Sequence, residues 1–451
     1  MAQFMVIMDT SIIGVALPRI QADLGFDQQS LSWVFNAYVV AFGGLLLLGG
    51  RLSDLFGAKR VFLTGWVVLL AGSAVAGLAG SVAVELVGRA AQGAGAALIA
   101  PSALTLLMMM LFGSEPKELT KALAVYGAAA PAGGTAGVFL GGVITQYASW
   151  PWVFYVNIPV AVAVLVGASR TMPLTSRNHD LRVDLVGAVA VTGGVGAAVY
   201  AIVRAAHVGW GSVATWAWLG AAAALLIAFV LIQGRRRQPL MRLSIFRLPN
   251  LAAANVAQLL LGAAWIPMWF FLNLYLQQVL GFDAFPSGAA LLPMTLLIMV
   301  GMVALAPRVI GRFGTKGPAV VGLLLLGAGM FWLSLVRPDG SYVVDVLPAS
   351  LVAALGMSLA FIPTLGTAIS SAPPQEGGLA SGIVNTSYQV GSALGLAAMT
   401  AIAAVGAGPA ATNTANLTDA FSRAFAGAGV VAVAAALLAA VTLSSRTSAS
   451  G

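Results

Sequence analysis

Apolar residues in this 451-residue chain are gathered into long blocks, many of which reach the roughly 20 residues that a helix needs to cross a bilayer. Hydrophobic residues make up 60% of the chain and charged residues 8%, whereas soluble domains average about 45–50% and about 25%. The short alternating strands that mark a transmembrane barrel do not occur. The chain is therefore predicted to be an all-α polytopic membrane protein, and an ordinary cytosolic enzyme is excluded.

The apolar blocks give about fourteen predicted membrane spans. The first is shorter than its neighbours, which leaves open whether it begins abruptly at the membrane surface or the natural start lies upstream of Met1. The predicted spans are residues 1–18, 31–49, 61–78, 84–112, 119–146, 150–168, 185–204, 213–233, 251–280, 287–309, 318–336, 346–371, 379–405 and 420–443.

The basic residues support this count and give it an orientation. With both termini in the cytoplasm, most of the 22 Lys and Arg residues fall in inner loops or in the tail, as the positive-inside rule requires. The same bias explains the net charge of +8 without nucleic acid as a partner. The chain contains no cysteine, and its two histidines, His179 and His207, lie near predicted loops. We therefore expect neither a disulfide nor a metal site.

Two predicted loops, residues 50–62 and 307–319, share the same spacing of basic residues, phenylalanine and glycine, which indicates an internal repeat. The loops lie eight spans apart, whereas two six-helix halves joined directly would place them six apart. Two additional helices are therefore predicted between the halves. The predicted domains are a six-helix bundle at residues 1–168, cytoplasmic linkers with two extra helices at 169–249, and a six-helix bundle at 250–451.

A carboxylate, Asp9, lies in the middle of the apolar first span. Such a charge costs roughly 2.5–3.5 kcal/mol at the centre of a membrane helix, so we expect the protein to use it or to pair it. Arg89 is the only basic residue assigned to the interior of a span, since the others within the predicted bounds lie at span ends. A buried guanidinium needs a partner as well. We hypothesise that Arg89 pairs with Asp9. The alternative is that Arg89 reaches the membrane surface beside Glu85, one helical turn away.

This placement makes Asp9 a candidate proton carrier. Burial favours the neutral form of an acid and a nearby cation favours its charged form, which is the opposition that a reversible carrier needs. The alternative is a carboxylate locked permanently in an ion pair. The acids in the second half of the chain all fall near loops. With Asp9 as the sole deep acid, we expect a low proton stoichiometry and neutral or monovalent substrates.

Several motifs resemble those of the major facilitator superfamily, specifically its fourteen-segment drug:proton antiporter family. They are residues 50–60 (GRLSDLFGAKR), 86–97, 8–18, 127–142, 149–159 and 378–391. The resemblance covers nearly the whole chain and implies the major facilitator fold, with two six-helix bundles plus two additional linking helices. The chain departs from the family pattern at three positions, where Gly14, Val138 and Pro151 stand in place of the usual Asn, Pro and Arg.

The motif after the second span is expected to act as a conformational latch, a role implied by the resemblance. Gly50 and Gly57 suit a tight turn between closely packed helices. Asp54 can accept hydrogen bonds from a facing helix end, and Lys59 and Arg60 would hold the loop at the cytoplasmic surface. The alternative is a plain turn that carries positive-inside charges.

Two further motifs have implied roles. In the fourth span, Arg89, Gln92 and Gly93 belong to a motif that the family uses in proton transfer. In the fifth span, an antiporter-like motif contains closely spaced glycines, which permit close approach and bending of helices or serve only for packing. The glycines of this motif are Gly133, Gly137, Gly141 and Gly142.

Polar and aromatic residues inside the spans are candidates for a substrate cavity. Aromatic and amide groups suit an amphipathic molecule or a cation over a ring face, although aromatic residues in spans also serve for packing. Asn385 and Gln389 share one helical face and either line the cavity or clamp a neighbouring helix. The candidate cavity residues are Asn36, Tyr38, Gln258, Trp265, Trp269, Asn385 and Gln389.

The chain contains no phosphate-binding G-x-x-x-x-G-K-[ST] loop, so ATP-driven pumping has no support. We expect no cofactor and no enzymatic activity, and a proton gradient as the energy source. The predicted function is proton-coupled efflux of small amphipathic organic compounds across a bacterial cytoplasmic membrane by alternating access. The predicted partners are that substrate, protons and the lipid bilayer. The alternatives are a proton symporter or uniporter on the same fold and a membrane sensor or assembly protein that transports nothing.

Overall fold

The computed structural model describes residues 1–28, 30–110, 116–172, 184–236, 239–248, 250–372, 377–405 and 413–443. All regular secondary structure in these residues is helical, which confirms the all-α prediction. The α-helices are α1 Ala2–Leu24, α2 Trp33–Phe56, α3 Ala58–Gly77, α4 Val82–Met110, α5 Pro116–Tyr147, α6 Trp152–Tyr155, α7 Asn157–Thr171, α8 Leu185–Val208, α9 Val213–Arg235, α10 Leu251–Leu274, α11 Ala284–Val300, α12 Ala306–Phe313, α13 Lys316–Leu333, α14 Leu347–Ser370, α15 Gly377–Ala404 and α16 Thr414–Thr442. Short 3₁₀ helices occur at Ser30–Ser32 and Leu243–Arg247, and π-helical turns at Tyr275–Val279, Gly301–Leu305 and Tyr342–Val346.

Thirteen helical stretches of the described residues are long and apolar enough to cross a membrane. They coincide with thirteen of the predicted spans, and the remaining predicted span, residues 379–405, lies in the 28-residue helix α15. Continuous helices are the expected solution for such apolar segments. A helix satisfies its own backbone hydrogen bonds where the surrounding lipid offers none.

The first helix is longer than predicted. We placed its end at Pro18 because proline lacks the N–H group that a helix interior uses. Pro18 instead lies inside α1, which continues to Leu24 and ends at Gly25 in the left-handed conformation, with φ of 73°. Membrane helices tolerate an internal proline because neighbouring groups satisfy the freed carbonyl. The apparent shortness of the first span came from this misplaced boundary at its C-terminal end.

The motif at residues 50–60 is not the loop that was predicted. Helix α2 runs through Gly50 to Phe56, and α3 begins at Ala58. A single residue, Gly57 with φ of 89°, makes the whole turn. The prediction that Gly50 lies in a tight turn is therefore wrong, since hydropathy locates the end of an apolar block and not the end of the helix. The prediction for Gly57 is confirmed.

The second copy of this motif has the same local structure. Helix α12 ends at Phe313, and Gly314 follows with φ of 73° before α13 begins at Lys316. A left-handed glycine directly after a phenylalanine thus occurs at matching positions of the two halves. This agreement supports the internal repeat that the sequence indicates.

The contacts within the chain divide it into two compact units. The first comprises Met1–Ala201, Trp216–Arg242 and Asp283–Ala289. In it, α1 packs against α5, and α4 packs against both α2 and α3. The second comprises Ile202–Thr215, Leu243–Phe282 and Ala290–Gly451. In it, α10 packs against α15 and α13 packs against α14. The pairing of the first span with the fifth, and of the third with the fourth, occurs in both units.

A polar clamp ties together the ends of the two extra helices, α8 and α9, in the first unit. The buried carboxylate of Asp184 accepts hydrogen bonds from the Gly187 backbone N–H at 2.9 Å and from Gln233 Nε2 at 2.8 Å. Gln233 Oε1 in turn accepts from the Met241 backbone N–H at 3.1 Å. Each of these polar groups therefore has the partner that burial requires.

Candidate functional site

Four helices of the first unit bring polar side chains together around Asp9. Asp9 belongs to α1, Ser73 to α3, Arg89 and Gln92 to α4, and Asn157 is the first residue of α7. We call these five residues the Asp9 cluster. All five are fully buried or nearly so, with exposed fractions of 0–1%. A charged and polar group of this kind inside a membrane protein is a functional-site hypothesis by default.

The carboxylate of Asp9 accepts three hydrogen bonds. Arg89 Nη1 donates to Oδ2 at 2.9 Å, while Gln92 Nε2 and Asn157 Nδ2 donate to Oδ1 at 3.0 and 2.6 Å. The predicted pairing of Asp9 with Arg89 is therefore confirmed. The alternative, in which Arg89 extends to the membrane surface, is wrong because the exposed fraction of Arg89 is 0%.

The guanidinium of Arg89 is held from several sides. Its Nε donates to the Val34 carbonyl at 2.9 Å, and its Nη1 also donates to Gln92 Oε1 at 2.7 Å. The guanidinium carbon lies 4.6 Å from the centroid of the Tyr38 ring and 5.9 Å from that of Phe154, within the range of cation–π attraction. Nη2 has no hydrogen-bond partner among the described residues. The two N–H donors of Nη2 are therefore unpaired, whereas Nε and Nη1 both donate.

Sequence reasoning missed two members of the Asp9 cluster, Ser73 and Asn157. Asn157 lies in the motif at residues 149–159, but no role was assigned to it. The local structure explains its position. Trp150 Nε1 donates to Asp23 Oδ2 at 2.6 Å, and the Tyr155 hydroxyl donates to the Gly77 carbonyl at 2.7 Å. These two bonds fix the start of α7 against α1 and α3.

A second acid, Glu85, is also fully buried, with an exposed fraction of 0%. It lies one helical turn before Arg89 on α4, and neither carboxyl oxygen has a hydrogen-bond partner among the described residues. The expectation that Asp9 is the sole deep acid is therefore wrong. The inference of a low proton stoichiometry therefore loses its basis. Glu85 was missed because the predicted span began at residue 84, which placed Glu85 at the membrane surface.

The glycines of the antiporter-like motif hold α1 against α5. A Cβ atom at Gly133, Gly137 or Gly141 would overlap the backbone of α1 near the carbonyls of Phe4, Met8 and Ile12 respectively. At Gly137 the nearest atom, the Met8 carbonyl oxygen, would lie 2.7 Å from such a Cβ, and at Gly141 the Ile12 carbonyl oxygen would lie 2.7 Å away. Small residues at this spacing let helix backbones approach closely. They seat the stretch of α1 that carries Asp9.

Two more glycines of the predicted motifs make close contacts. A Cβ at Gly93 would overlap the Tyr38 carbonyl, so Gly93 seats α4 against α2. A Cβ at Gly142 would lie 3.0 Å from the carbonyl oxygen of Ala284, at the start of α11. The predicted close helix approach is thus observed at both positions.

In the motif at 50–60, Lys59 and Asp54 have environments that differ from those predicted, whereas Arg60 is exposed as predicted. Lys59 is buried, with an exposed fraction of 8%, and its Nζ donates to the carbonyls of Ser169 at 2.9 Å and Met172 at 2.6 Å. It therefore caps the C-terminal end of α7, where a cation is favoured. Asp54 is exposed and accepts no hydrogen bond from the described residues, whereas Arg60 is exposed and donates only weakly, at 3.5 Å, to the Phe56 carbonyl.

Replacing Lys59 with methionine is expected to destabilise the protein by about 1.5–3 kcal/mol, because hydrogen bonds to a charged group contribute about that much. The measurement is the thermal unfolding midpoint of the detergent-purified protein. Arg60→Met is the matched control, since it removes an adjacent positive charge that is exposed. Equal midpoints for the two variants would show that the contacts of Lys59 with α7 do not stabilise the fold.

The candidate cavity residues of the first unit lie close to the Asp9 cluster. Tyr38 is buried under the guanidinium of Arg89, and its hydroxyl donates to the Val6 carbonyl at 3.3 Å. Asn36 is also buried, and neither its amide oxygen nor its amide nitrogen has a partner among the described residues. Tyr38 is thus a supporting residue of Arg89 in this structure.

In the second unit, Gln258 is buried and its Nε2 donates to Thr364 Oγ1 at 2.9 Å and to the Phe361 carbonyl at 3.1 Å. The rings of Trp265 and Trp269 are neighbours, with centroids 6.4 Å apart. These three residues therefore line the packed side of α10.

Among the described residues, neither amide on α15 donates to a neighbouring helix. Asn385 Nδ2 donates to the Ser381 carbonyl of its own helix at 2.8 Å, and Gln389 is half-buried. Asn255 makes the contact between helices instead, since its Oδ1 accepts from Ser387 Oγ at 2.9 Å.

Comparisons with known proteins agree with this architecture. Residues 1–396 match the sequence profile of the Major Facilitator Superfamily. The cephamycin export protein CmcT of Amycolatopsis lactamdurans is 38% identical over 440 residues, which cover 97% of this chain and 90% of that protein. The puromycin resistance protein pur8 of Streptomyces alboniger is 36% identical over 466 residues, which cover 99% and 90%.

Among solved structures, a D-xylose-proton symporter matches with a TM-score of 0.68 at 15% identity, over 98% of this chain and 96% of that one. At this identity the match shows the fold alone. The sequence profile and the relatives confirm the family that the motifs predict. The chain is therefore a member of the major facilitator superfamily of membrane transporters and a multi-pass protein of a bacterial cell membrane.

Proposed function

We propose that this protein exports small amphipathic organic compounds from the cell in exchange for protons, by alternating access. The observation that carries the proposal is the buried contact between Asp9 and Arg89, at 2.9 Å. A carboxylate and a guanidinium placed inside the membrane are expensive, and transporters use such pairs as proton relays. The drug-exporter relatives of this chain support the choice of an exporter within the superfamily.

Those relatives support both the direction of transport and the substrate class. Four relatives that align with most of this chain have names that refer to cephamycin export, puromycin resistance, tetracenomycin C resistance and export, and lincomycin resistance. All four names refer to antibiotics that are small organic compounds. We therefore infer that a compound of this class is the substrate.

The Asp9 cluster suggests how a proton could change the conformation. Asp9 on α1 is held by donors from α4 and α7. Protonation would remove the negative charge that Arg89 contacts and convert one acceptor oxygen of Asp9 into a donor. The hydrogen bonds that join α1 to α4 and α7 would then rearrange. Proton entry is in this way coupled to movement of the helix that carries the acid.

Everted membrane vesicles test the proposal. Vesicles from cells that lack their own exporters and produce this protein are energised by respiration, so that the lumen becomes acidic. A pH-sensitive dye reports the gradient while puromycin, and then a panel of other amphipathic antibiotics, is added. An antiporter that carries one of them into the lumen releases protons, and we expect the gradient to fall on addition of that compound.

Vesicles without the protein are the control for passive entry of the compounds. Transport of a compound into the vesicles with no accompanying fall in the gradient would contradict proton antiport while leaving export intact. A symporter would carry protons and compound in the same direction, and compound loaded into the lumen would then leave together with protons. A protein that transports nothing would give neither signal.

A further inference from the structure

Among the described residues of the first unit, Glu85 is a fully buried acid, and neither of its carboxyl oxygens accepts a hydrogen bond. The proposed exchange does not use it. Glu85 lies in the first turn of α4, four residues before Arg89, so that the two side chains share a helix face. Arg89 and Asp9 are the charged groups that act on Glu85 through space. All three belong to one electrostatic site.

The charges of this site do not balance if both acids are ionised. One guanidinium would then face two carboxylates in a region that excludes water, and an unpaired buried carboxylate costs several kcal/mol. With one proton shared between the two acids, the site is neutral. Asp9, which accepts three hydrogen bonds, suits the ionised state, whereas Glu85, which accepts none, suits the protonated state.

The geometry of Arg89 adds a second observation. Its Nη2 is buried and has no hydrogen-bond partner among the described residues. The unpaired Nη2 and the two unpaired carboxyl oxygens belong to residues one helical turn apart on α4. Buried polar groups are normally paired, so these unpaired groups point to a contact that forms in another state of the protein.

We propose that Glu85 is a second proton-binding residue of the transport site and that Arg89 alternates between Asp9 and Glu85. This inference rests on the proposed proton coupling. In the state described here, Glu85 holds the proton and Arg89 pairs with Asp9. When the proton passes from Glu85 to Asp9, the O–H bond of Glu85 breaks, an O–H bond forms on Asp9, and Arg89 turns to the ionised Glu85. In the predicted orientation α4 begins at the outer side of the membrane, so Glu85 receives its proton from outside and Asp9 releases it toward the cytoplasm. The transfer leaves the net charge of the site unchanged.

Glu85→Gln tests the proposal because glutamine reproduces the shape of a neutral carboxylic acid but cannot release a proton. We expect this variant to keep the unfolding midpoint of the unmodified protein, because the glutamine side chain fills the same space. We expect it to lose export driven by a pH gradient. Glu85→Asp, which retains a carboxyl group, should recover part of that export.

Infrared spectroscopy gives a readout that is independent of transport. A buried protonated carboxyl has a C=O stretching band distinct from that of a carboxylate. We expect the purified protein to show this band and Glu85→Gln to lack it. Asp9→Asn mimics the protonated Asp9, so Arg89 should turn to Glu85 and the band should disappear in that variant as well. If Glu85→Gln does not fold, a shift of the band in Glu85→Asp serves the same purpose.

The outcomes separate the two proposals. If the unmodified protein moves no protons with its substrate, the proposed function fails and this inference fails with it. If the unmodified protein couples transport to protons and Glu85→Gln does so equally well, only the inference is overturned. A protonated-carboxyl band that persists in Glu85→Gln would also overturn it, since the proton would then reside on a different acid.

Discussion

Replacing Asp9 with asparagine is expected to abolish export driven by a pH gradient and to reduce the antibiotic resistance of host cells to that of cells without the transporter. Asparagine has nearly the shape of aspartate, but it cannot carry a proton. Its amide nitrogen would replace one of the two oxygens that accept from Arg89, Gln92 and Asn157. The measurements are growth in the presence of the antibiotic and dye-monitored proton release in everted vesicles.

The same substitution removes the anion that pairs with the buried guanidinium of Arg89 in this structure, so Arg89 must turn to Glu85. Breaking a buried ion pair on one side costs about 3–5 kcal/mol, so a lower unfolding midpoint is expected as well. Exchange of labelled for unlabelled compound separates the two effects, because it needs a folded protein but no net proton movement. Asp419→Asn is the matched control, since Asp419 is an exposed acid on α16. Export by Asp9→Asn at the level of this control would refute a proton-carrying role for Asp9.

The central contact of this site could be predicted from the sequence. Asp9 and Arg89 are opposite charges in otherwise apolar spans, and each is too costly to leave alone. Pairing them requires no knowledge of the fold, and the structure places them 2.9 Å apart. The argument works because the energetic cost of a buried charge is large compared with the other preferences of a membrane helix.

The rest of the cluster could not be predicted in this way. Ser73 and Asn157 are neutral, and in a span they look like any small or capping residue. Tertiary structure brings Asn157 to the carboxylate of Asp9, and Ser73 to the amides of Gln92 and Asn157. Glu85 was missed for another reason. Its position near the start of α4 resembles that of a surface acid, and its burial depends on packing against other helices.

Hydropathy predicts where the membrane helices lie but not where each helix ends. The positions of the spans follow from apolar block length, and thirteen of them are recovered as long apolar helices among the described residues. Their ends follow instead from capping and backbone conformation. Gly57 ends α2 because its φ of 89° suits glycine, while the charged residues before it remain helical.

Adding one methyl group at Gly137 is expected to destabilise the protein by about 1–3 kcal/mol, the usual cost of overpacking. A Cβ there would lie 2.7 Å from the Met8 carbonyl oxygen and 2.9 Å from Ser11 Cβ, both on α1. One of the helices must therefore shift. Because Met8 precedes Asp9, the shift displaces the carboxylate from Arg89, and export should fall together with stability. The measurements are the unfolding midpoint and export by Gly137→Ala.

The neighbouring glycine on α5 provides a matched control for the same substitution. A Cβ at Gly134 would have Ser11 Oγ at 3.7 Å as its nearest neighbour, which is ordinary contact. Gly134→Ala should therefore keep export and gain about 0.5–1 kcal/mol from the higher helix preference of alanine. If Gly137→Ala were as stable and active as Gly134→Ala, close seating of α1 on α5 would not position Asp9. Opposite effects of one methyl group at two sites on the same helix would instead locate the requirement in the close contact with the α1 backbone at Gly137.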